Sequence, residues 1–475
     1  MSCFSRRSLL KMAGGVSVAG LLAACGATPA PAATQAPAAA TQAPAAAVTE
    51  APAAATAAPA GKAHIVAIDT GDGKDMQGAF KPFMDANPDI TVEVVGVAWD
   101  GYDEKVDLMI AGGDPPAIWR PAAKRGYRYY ADKGMFPDIG PYIERDKVDV
   151  EDFYPTLFDF VKWEGKVRGF PAGHFLSFMF YNKTLLDKAG VATPTTDWSD
   201  KSWTWDVLHQ IVKTVAKPDN DPTKAVWGSG GLYDIRHAAW IFGGDYFAKE
   251  DYVTGKPTKT IVNDPLVIDG LQFMQDLIYK DQVEPTPAQG QTISAAGIDM
   301  FLSGKVGVLF SANWSFGTYG KITDFEWGIA PVPGGKGTVK TLLWPDQLMM
   351  FDKQKYPEAA WKALKYITSK EGLAAYYLKS SQRGGGIPSR MSLASDWATA
   401  ANEVSKLKVE MIDNVVNKGI NAAGYVTASH AIIKFAECYD VAIKPQLDNL
   451  FLNKQSAKEA VTLMEPKINE ILSAK

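Results

Sequence analysis

Most of the side-chain groupings in this chain that could do chemistry fail on spacing. Asp69-Thr70-Gly71 spells the triplet of an aspartic protease, but that chemistry needs two carboxylates sharing one proton. No second Asp-Thr-Gly or Asp-Ser-Gly occurs, so the triplet reads as a turn. The five histidines show neither His-Glu-x-x-His nor paired-cysteine spacing, so no metal site and no cofactor is expected. GSGG at 228–231 and PGGKG at 333–337 lack the Gly-x-x-x-x-Gly-Lys-Ser/Thr spacing of a phosphate loop and read as turns. AAKRGYRYY at 122–130 mixes basic and aromatic residues as a nucleic-acid surface would, yet on a chain of net charge −4 it reads as a solvated helix face. Cys438, alone in IIKFAECYDVAI, reads as a small buried apolar residue. What remains is aromatic: 13 Trp and 18 Tyr, several beside an acid or an arginine, as in Trp99-Asp100, Trp119-Arg120 and Trp344-Pro345-Asp346.

The first 61 residues are not among the elements that could position such groups. Arg6-Arg7 precedes an uncharged apolar run at 12–24, MAGGVSVAGLLAA. That run falls short of the roughly 20 residues that span a bilayer and suits a secretory signal, here of the twin-arginine type. Leu22-Ala23-Ala24-Cys25 resembles the lipobox of bacterial lipoproteins, which implies a signal peptide over 1–24 and acylation of Cys25. Over 25–61 the chain is almost entirely Ala, Pro, Thr and Gln, with prolines at 29, 31, 37, 44, 52 and 59. Those prolines break any helix, and no large apolar side chain is present to build a core. The segment reads as a disordered tether with a root-mean-square span of about 30–35 Å.

Residues 62–475 have the balance of a soluble globular protein, 21% charged and 47% hydrophobic over the whole chain, without the basic excess that duplex binding demands. They are too many for one usual core and enough for two. HIVAID at 64–69 is a strand, TGDGKD a turn, and MQGAFKPFMDANP a helix. ITVEVVGVAW at 90–99 is a second strand, residues 102–111 put Tyr102, Val106, Met109 and Ile110 on one helical face, and PAIWR at 116–120 is a third strand. This β-α-β-α-β order predicts a parallel sheet flanked by helices. Ligands of such sheets gather at the carboxyl ends of the strands, which puts 69–75, Trp99-Asp100 and Trp119-Arg120 on one rim.

Longer stretches carry a resemblance. FMDANPDITVEVVGVAWDGYDEKVDLMIAGGDPPAIW, YADKGMFPDI, FPAGHFLSFMFYNKTLLDKAGVATP, SWTWDVLHQIVKTV, MFLSGKVGVLFSANWSFGTYG with WGIAPVPGG, and AWKALKYITSKEG with GGGIPSR follow in order. Together they resemble the family 1 extracellular solute-binding proteins of bacterial ABC importers, the maltose-binding-protein-like sugar receptors. Two places depart from the family pattern: Ala117 replaces an acidic residue after the AGG turn, and WSDKSWTWDVL is longer than usual.

The resemblance implies an α/β fold of the two-lobe, type II periplasmic-binding-protein kind, each lobe a mainly parallel sheet flanked by helices. The N-terminal lobe is expected over 62–173 and 331–386, the C-terminal lobe over 174–330 and 387–475. Chain crossings between them are expected at 173–175, 330–331 and 384–387. The aromatic surplus then has a use. A sugar ring offers C–H faces and a rim of hydroxyls, so its site needs flat apolar platforms and planar polar groups. By position in the matching blocks, Trp119, Trp314 and Tyr233 fall where the family stacks sugar rings, and Asp72 where an aspartate binds hydroxyls. Trp344, Asp346, Trp99 and Asp100 join them from rim placement, and His174-Phe175 stands where the hinge block usually carries an acid. The family also implies that Tyr376-Tyr377, which could otherwise hold ferric iron, belongs to a packing helix.

The expected function is therefore an extracytoplasmic, lipid-anchored receptor, not an enzyme. It would be a monomer that captures a mono- or oligosaccharide by closing and hands it to ABC permease subunits, with no nucleic-acid partner. Two alternatives stay open. The cargo could be a glycerophosphodiester or another polar solute, held by Arg120, Arg236 or Arg383. Or the same groove could be a surface glycoside hydrolase with two carboxylates about 5 or 6.5–9.5 Å apart.

Overall fold

The structure, a computed structural model, describes residues 62–121, 125–231, 239–335, 340–381 and 383–474. The expected opening is present. Strand β1 (Ala63–Thr70) leads through a left-handed Gly73 (φ 70°) into helix α1 (Lys74–Ala86), which buries Met76, Ala79, Phe80 and Phe83 at helical spacing. Strand β2 (Ile90–Val97) runs parallel to β1 in register from Ala63↔Ile90 to Thr70↔Val97, and helix α2 (Tyr102–Ala111) follows. Strand β3 (Ile118–Trp119) joins the other edge of β1, also parallel. Helix α3 spans Gly126–Asp132.

A small hairpin, β4 (Lys162–Trp163) with β5 (Lys166–Val167), precedes the element that organises the rest, β6 (Gly169–Asn182). Fourteen residues long and buried throughout but for Phe175, β6 extends about 45 Å. Later strands are β7 (Trp227–Gly230), β8 (Val306–Ala312), β9 (Trp327–Ala330), β10 (Thr341–Met350), β11 (Ile387–Pro388) and β12 (Gly424–Val426). The sheet order is β2-β1-β3-β10-β6-β8-β7. The first half of β6 pairs antiparallel with β10, and the second half with β8 and β9. The outer pairs β1–β2, β1–β3, β7–β8 and β10–β12 are parallel.

The two largest apolar clusters lie at opposite ends of β6. One packs α1, β1 and β2 against the helices Pro357–Ile367 and Lys370–Tyr377 around the fully buried Trp361. The other packs the helices Trp205–Val215, Pro265–Tyr279, Lys444–Phe451 and Ala457–Ser473. Thr204 caps Trp205–Val215, its hydroxyl accepting from Val207 N–H, which is what Ser-Trp-Thr-Trp at a helix start does.

Two sequence expectations are corrected. GSGG is no turn: residues 227–230 form β7, and a side-chain carbon on Gly228 would run into the Val212 carbonyl. Glycine here lets a helix lie directly on the strand. The described part of the 122–130 stretch is no solvated face either. Arg128 is buried, its guanidinium over the Trp163 ring at 4.7 Å and Nη1 donating to the Val253 carbonyl at 2.9 Å. The aromatic residues that suggested a surface are what enclose the cation. Cys438 is buried and unpaired, and burial pushes its thiol up to about 12.

Candidate functional site

Three strands bring charge to one point: Asp69 from the end of β1, Arg120 just past β3, and Asp346 from the middle of β10. Arg120 donates through Nη2 to Asp69 Oδ1 (2.9 Å) and Thr70 Oγ1 (2.6 Å), and through Nη1 to Asp346 Oδ2. All three charged side chains are at most 8% exposed. Tyr376 OH donates to the second oxygen of Asp69 at 2.9 Å. Burial works against the Arg120 charge, but Asp346 and Asp69 outweigh it and hold the guanidinium protonated. Burial likewise pushes the Asp346 carboxyl above its ordinary value while Arg120 draws it down. With both carboxylates ionised, the three groups carry one negative charge.

Alternation along β10 places Trp344 on the same face as Asp346, and the register sets Trp344 opposite Phe175 and Asp346 opposite Gly173 on β6. Rings and charges are therefore neighbours on one face where the two strands run together. Trp314 completes the strip. Its ring is 5.7 Å from Phe175 and 5.9 Å from Trp344, and the side chain is 47% exposed. It rides on the short turn Asn313–Ser315 that ends β8. The buried Asn313 pins that turn, accepting from Leu176 N–H at 2.9 Å and donating to the Gly385 carbonyl. Trp344 Nε1 donates to Ser177 Oγ at 3.3 Å, and His430 meets the Trp344 ring edge-on at 6.3 Å. Chemically, the strip offers an exposed flat ring beside two carboxylates, which suits stacking on C–H faces and hydrogen bonding at the adjoining rim.

Of the residues expected from sequence, Trp314, Trp344, Asp346 and Arg120 come together. Trp119 does not join them. It is wholly buried, edge-on to Tyr130 and Phe136 at 5.4 and 5.2 Å and close to Phe351, so its ring is taken up by the core. His174 also leaves the strip. Adjacent to Phe175 on a strand, it faces the other way and packs on Tyr154 at 5.3 Å. Trp99 is 56% exposed and stacks on Tyr102, at the rim beside the solvent-exposed Asp100. Asp72 is exposed and paired with Lys74 at 2.5 Å, which lowers its pKa. Arg383 pairs with Glu403 at 3.2 Å. Tyr233, Arg236 and Cys25 lie outside the described residues.

Asp69 and Thr70 lie in the 69–75 segment that the strand order puts on the rim, but the sequence reads them as a turn and Tyr376-Tyr377 as packing, and names none of the four as a site residue. The order of β1 and β10 around Arg120 is what recruits them, and no local signal carries that. Among the described residues, no three metal-ligating side chains come together and no helix is long and apolar enough to cross a membrane.

The α/β sheet thus carries aromatic rings and buried charge where its long strands meet. Residues 67–374 match the family of bacterial extracellular solute-binding proteins, and the chain belongs to that family. Among curated relatives, the lactose-binding protein of Rhizobium radiobacter is 24% identical over 262 residues, 54% of this chain and 58% of that one. The sn-glycerol-3-phosphate-binding periplasmic protein of Brucella abortus is 23% identical over 256 residues, 52% and 55% of the two chains. Among solved structures, the ABC substrate-binding protein of Listeria monocytogenes in complex with cycloalternan superposes with a TM-score of 0.71 at 23% identity, over 87% of this chain and 100% of that one. The fold is thus the type II periplasmic-binding-protein fold, and the family is one of extracellular solute-binding proteins.

Proposed function

We propose that this receptor captures a neutral mono- or oligosaccharide in the strip formed by Trp314, Trp344 and Phe175, next to Asp346 and Asp69, and delivers it to ABC permease subunits. The observation that carries the reading is the exposed Trp314 ring held against Phe175 and Trp344, two residues along the strand from a buried carboxylate. The lactose-binding relative points the same way. In this reading the lobes comprise 62–173 with 331–386 and 174–330 with 387–475, and close about the crossing at 173–175. Most of each apolar cluster at the two ends of β6 falls within one of these groups, with Val332 and Leu342 in the C-terminal cluster and Leu393 in the N-terminal one as exceptions. Ligand drives closure only to the extent that it binds the closed state better. The chain acts as a monomer, exported by its twin-arginine signal and anchored through lipidated Cys25, with 25–61 as the tether.

The test is a thermal-shift screen of the purified chain against mono-, di- and oligosaccharides, polyols, glycerophosphodiesters and peptides. At a hundred times its dissociation constant a ligand adds about 2.7 kcal/mol of stability. A saccharide hit whose affinity falls about tenfold in Trp314→Ala, with the ligand-free melting temperature unchanged, supports the reading. A saccharide returned cleaved after long incubation would make the protein a hydrolase instead.

A further inference from the structure

We infer that the Asp69–Arg120–Asp346 cluster makes the cleft reject anionic solutes, so that its cargo is uncharged and not a phosphate or carboxylate. The inference rests on the proposed ligand strip and settles which of two cargo classes fits it. Arg120 is the cation an anion would seek, at the carboxyl end of β3 where ligands of such sheets gather. Both of its terminal nitrogens are already engaged, Nη1 by Asp346 and Nη2 by Asp69 and Thr70, which leaves only the buried Nε without a partner. One guanidinium is thus shared between two carboxylates, and another titratable group beside the strip is His430, edge-on to Trp344 at 6.3 Å.

The extra negative charge also lies close to the platform. Asp346 and Trp344 are two positions apart on one face of β10, about 7 Å along the strand. At that range and with little water between them, a charge acts strongly. Arg383, the other described arginine that the sequence offered for an anion, is paired with Glu403. A neutral hydroxyl, by contrast, gains from the same arrangement, because ionised carboxylates are strong acceptors.

The test uses matched probes on the full chain. Calorimetry compares cellobiose, maltose and lactose with cellobiouronic acid, sn-glycerol 3-phosphate and inorganic phosphate at pH 7.5 and constant ionic strength. We expect a neutral disaccharide to bind at least tenfold more tightly than its uronate. In Asp346→Asn, which keeps an oxygen facing Arg120 and makes the cluster neutral, that gap should shrink at least fivefold. Asp69→Asn serves as the second variant, and if neither folds the wild-type comparison decides alone. A uronate or glycerol phosphate binding as tightly as the neutral probes would overturn the inference while leaving the receptor standing. If the polyols of the thermal-shift screen bind while sugars and anions do not, the carbohydrate reading fails and the charge inference holds. A gap that Asp346→Asn and Asp69→Asn both leave unchanged would also refute it.

Discussion

His174 should make the protein weaken in mild acid. Its side chain is 1% exposed, packed edge-on against Tyr154, with neither ring nitrogen bonded to any described group. Burial alone pulls its pKa down to about 3, against about 6.5 in an unfolded chain. The sign follows. Between those two values the unfolded state binds a proton that the folded state refuses, so stability is complete above pH 6.5 and is lost as pH falls towards 3. At pH 5 the loss is about 2 kcal/mol, and it grows by about 1.4 kcal/mol for each further unit.

The perturbation is His174→Leu, close in volume and without a proton to bind. Urea unfolding of ligand-free wild type and variant at pH 7.5, 6 and 5 gives the difference in stability at each pH, in which every other titrating group cancels. That difference should move by about 2 kcal/mol in favour of the variant between pH 7.5 and 5. A difference that stays constant across this range would refute the reasoning, because it would mean that His174 has a proton acceptor or solvent in its pocket.

Two further substitutions probe the frame of the site. Asp146 accepts from Trp361 Nε1 at 2.8 Å and from Lys365 at 2.6 Å, so Asp146→Ala should cost about 1–3 kcal/mol by stranding the buried indole N–H. Arg145, Lys365 and Trp361 hold the Asp146 carboxyl well below its usual range, so its contribution should be present above about pH 4 and vanish as pH falls below, read from denaturant midpoints of wild type and variant. Gly228→Ala places a carbon against the Val212 carbonyl and should destabilise by about 1–3 kcal/mol. A midpoint unchanged in denaturant would show that the helix Trp205–Val215 is free to move off β7.

The opening of the fold was legible because β1, α1, β2 and α2 each carry their own period, of two in the strands and about 3.6 in the helices. The site was legible only in part, because proximity in sequence was taken for proximity in space. Trp119 and Arg120 are adjacent on a strand, and adjacent strand residues face opposite ways. Arg120 enters the charged cluster, so Trp119 must enter the core. The same rule separates His174 from Phe175, and it unites Trp344 with Asp346. Only the last of these pairs was spaced to share a face. GSGG was misjudged for another reason: glycine signals close backbone approach as readily as a turn, and only the neighbouring helix distinguishes the two.

Two glycines show how the strip gets its shape. A side chain at Gly173 would run into the Tyr377 hydroxyl, and one at Gly386 would strike the same ring. Gly173 is also the residue that pairs with Asp346. Removing side chains at these two points lets Tyr377 lie over the crossing of β6 and β10, where it feels Asp346, Arg120 and Asp69. That ring is buried together with the cluster, and low-dielectric surroundings lengthen the reach of a charge. The proposed selectivity against anions thus depends on Gly173 and Gly386, which carry no side chain of their own. A larger residue at 173 would wet the cluster and blunt the discrimination even with Asp69, Arg120 and Asp346 all in place.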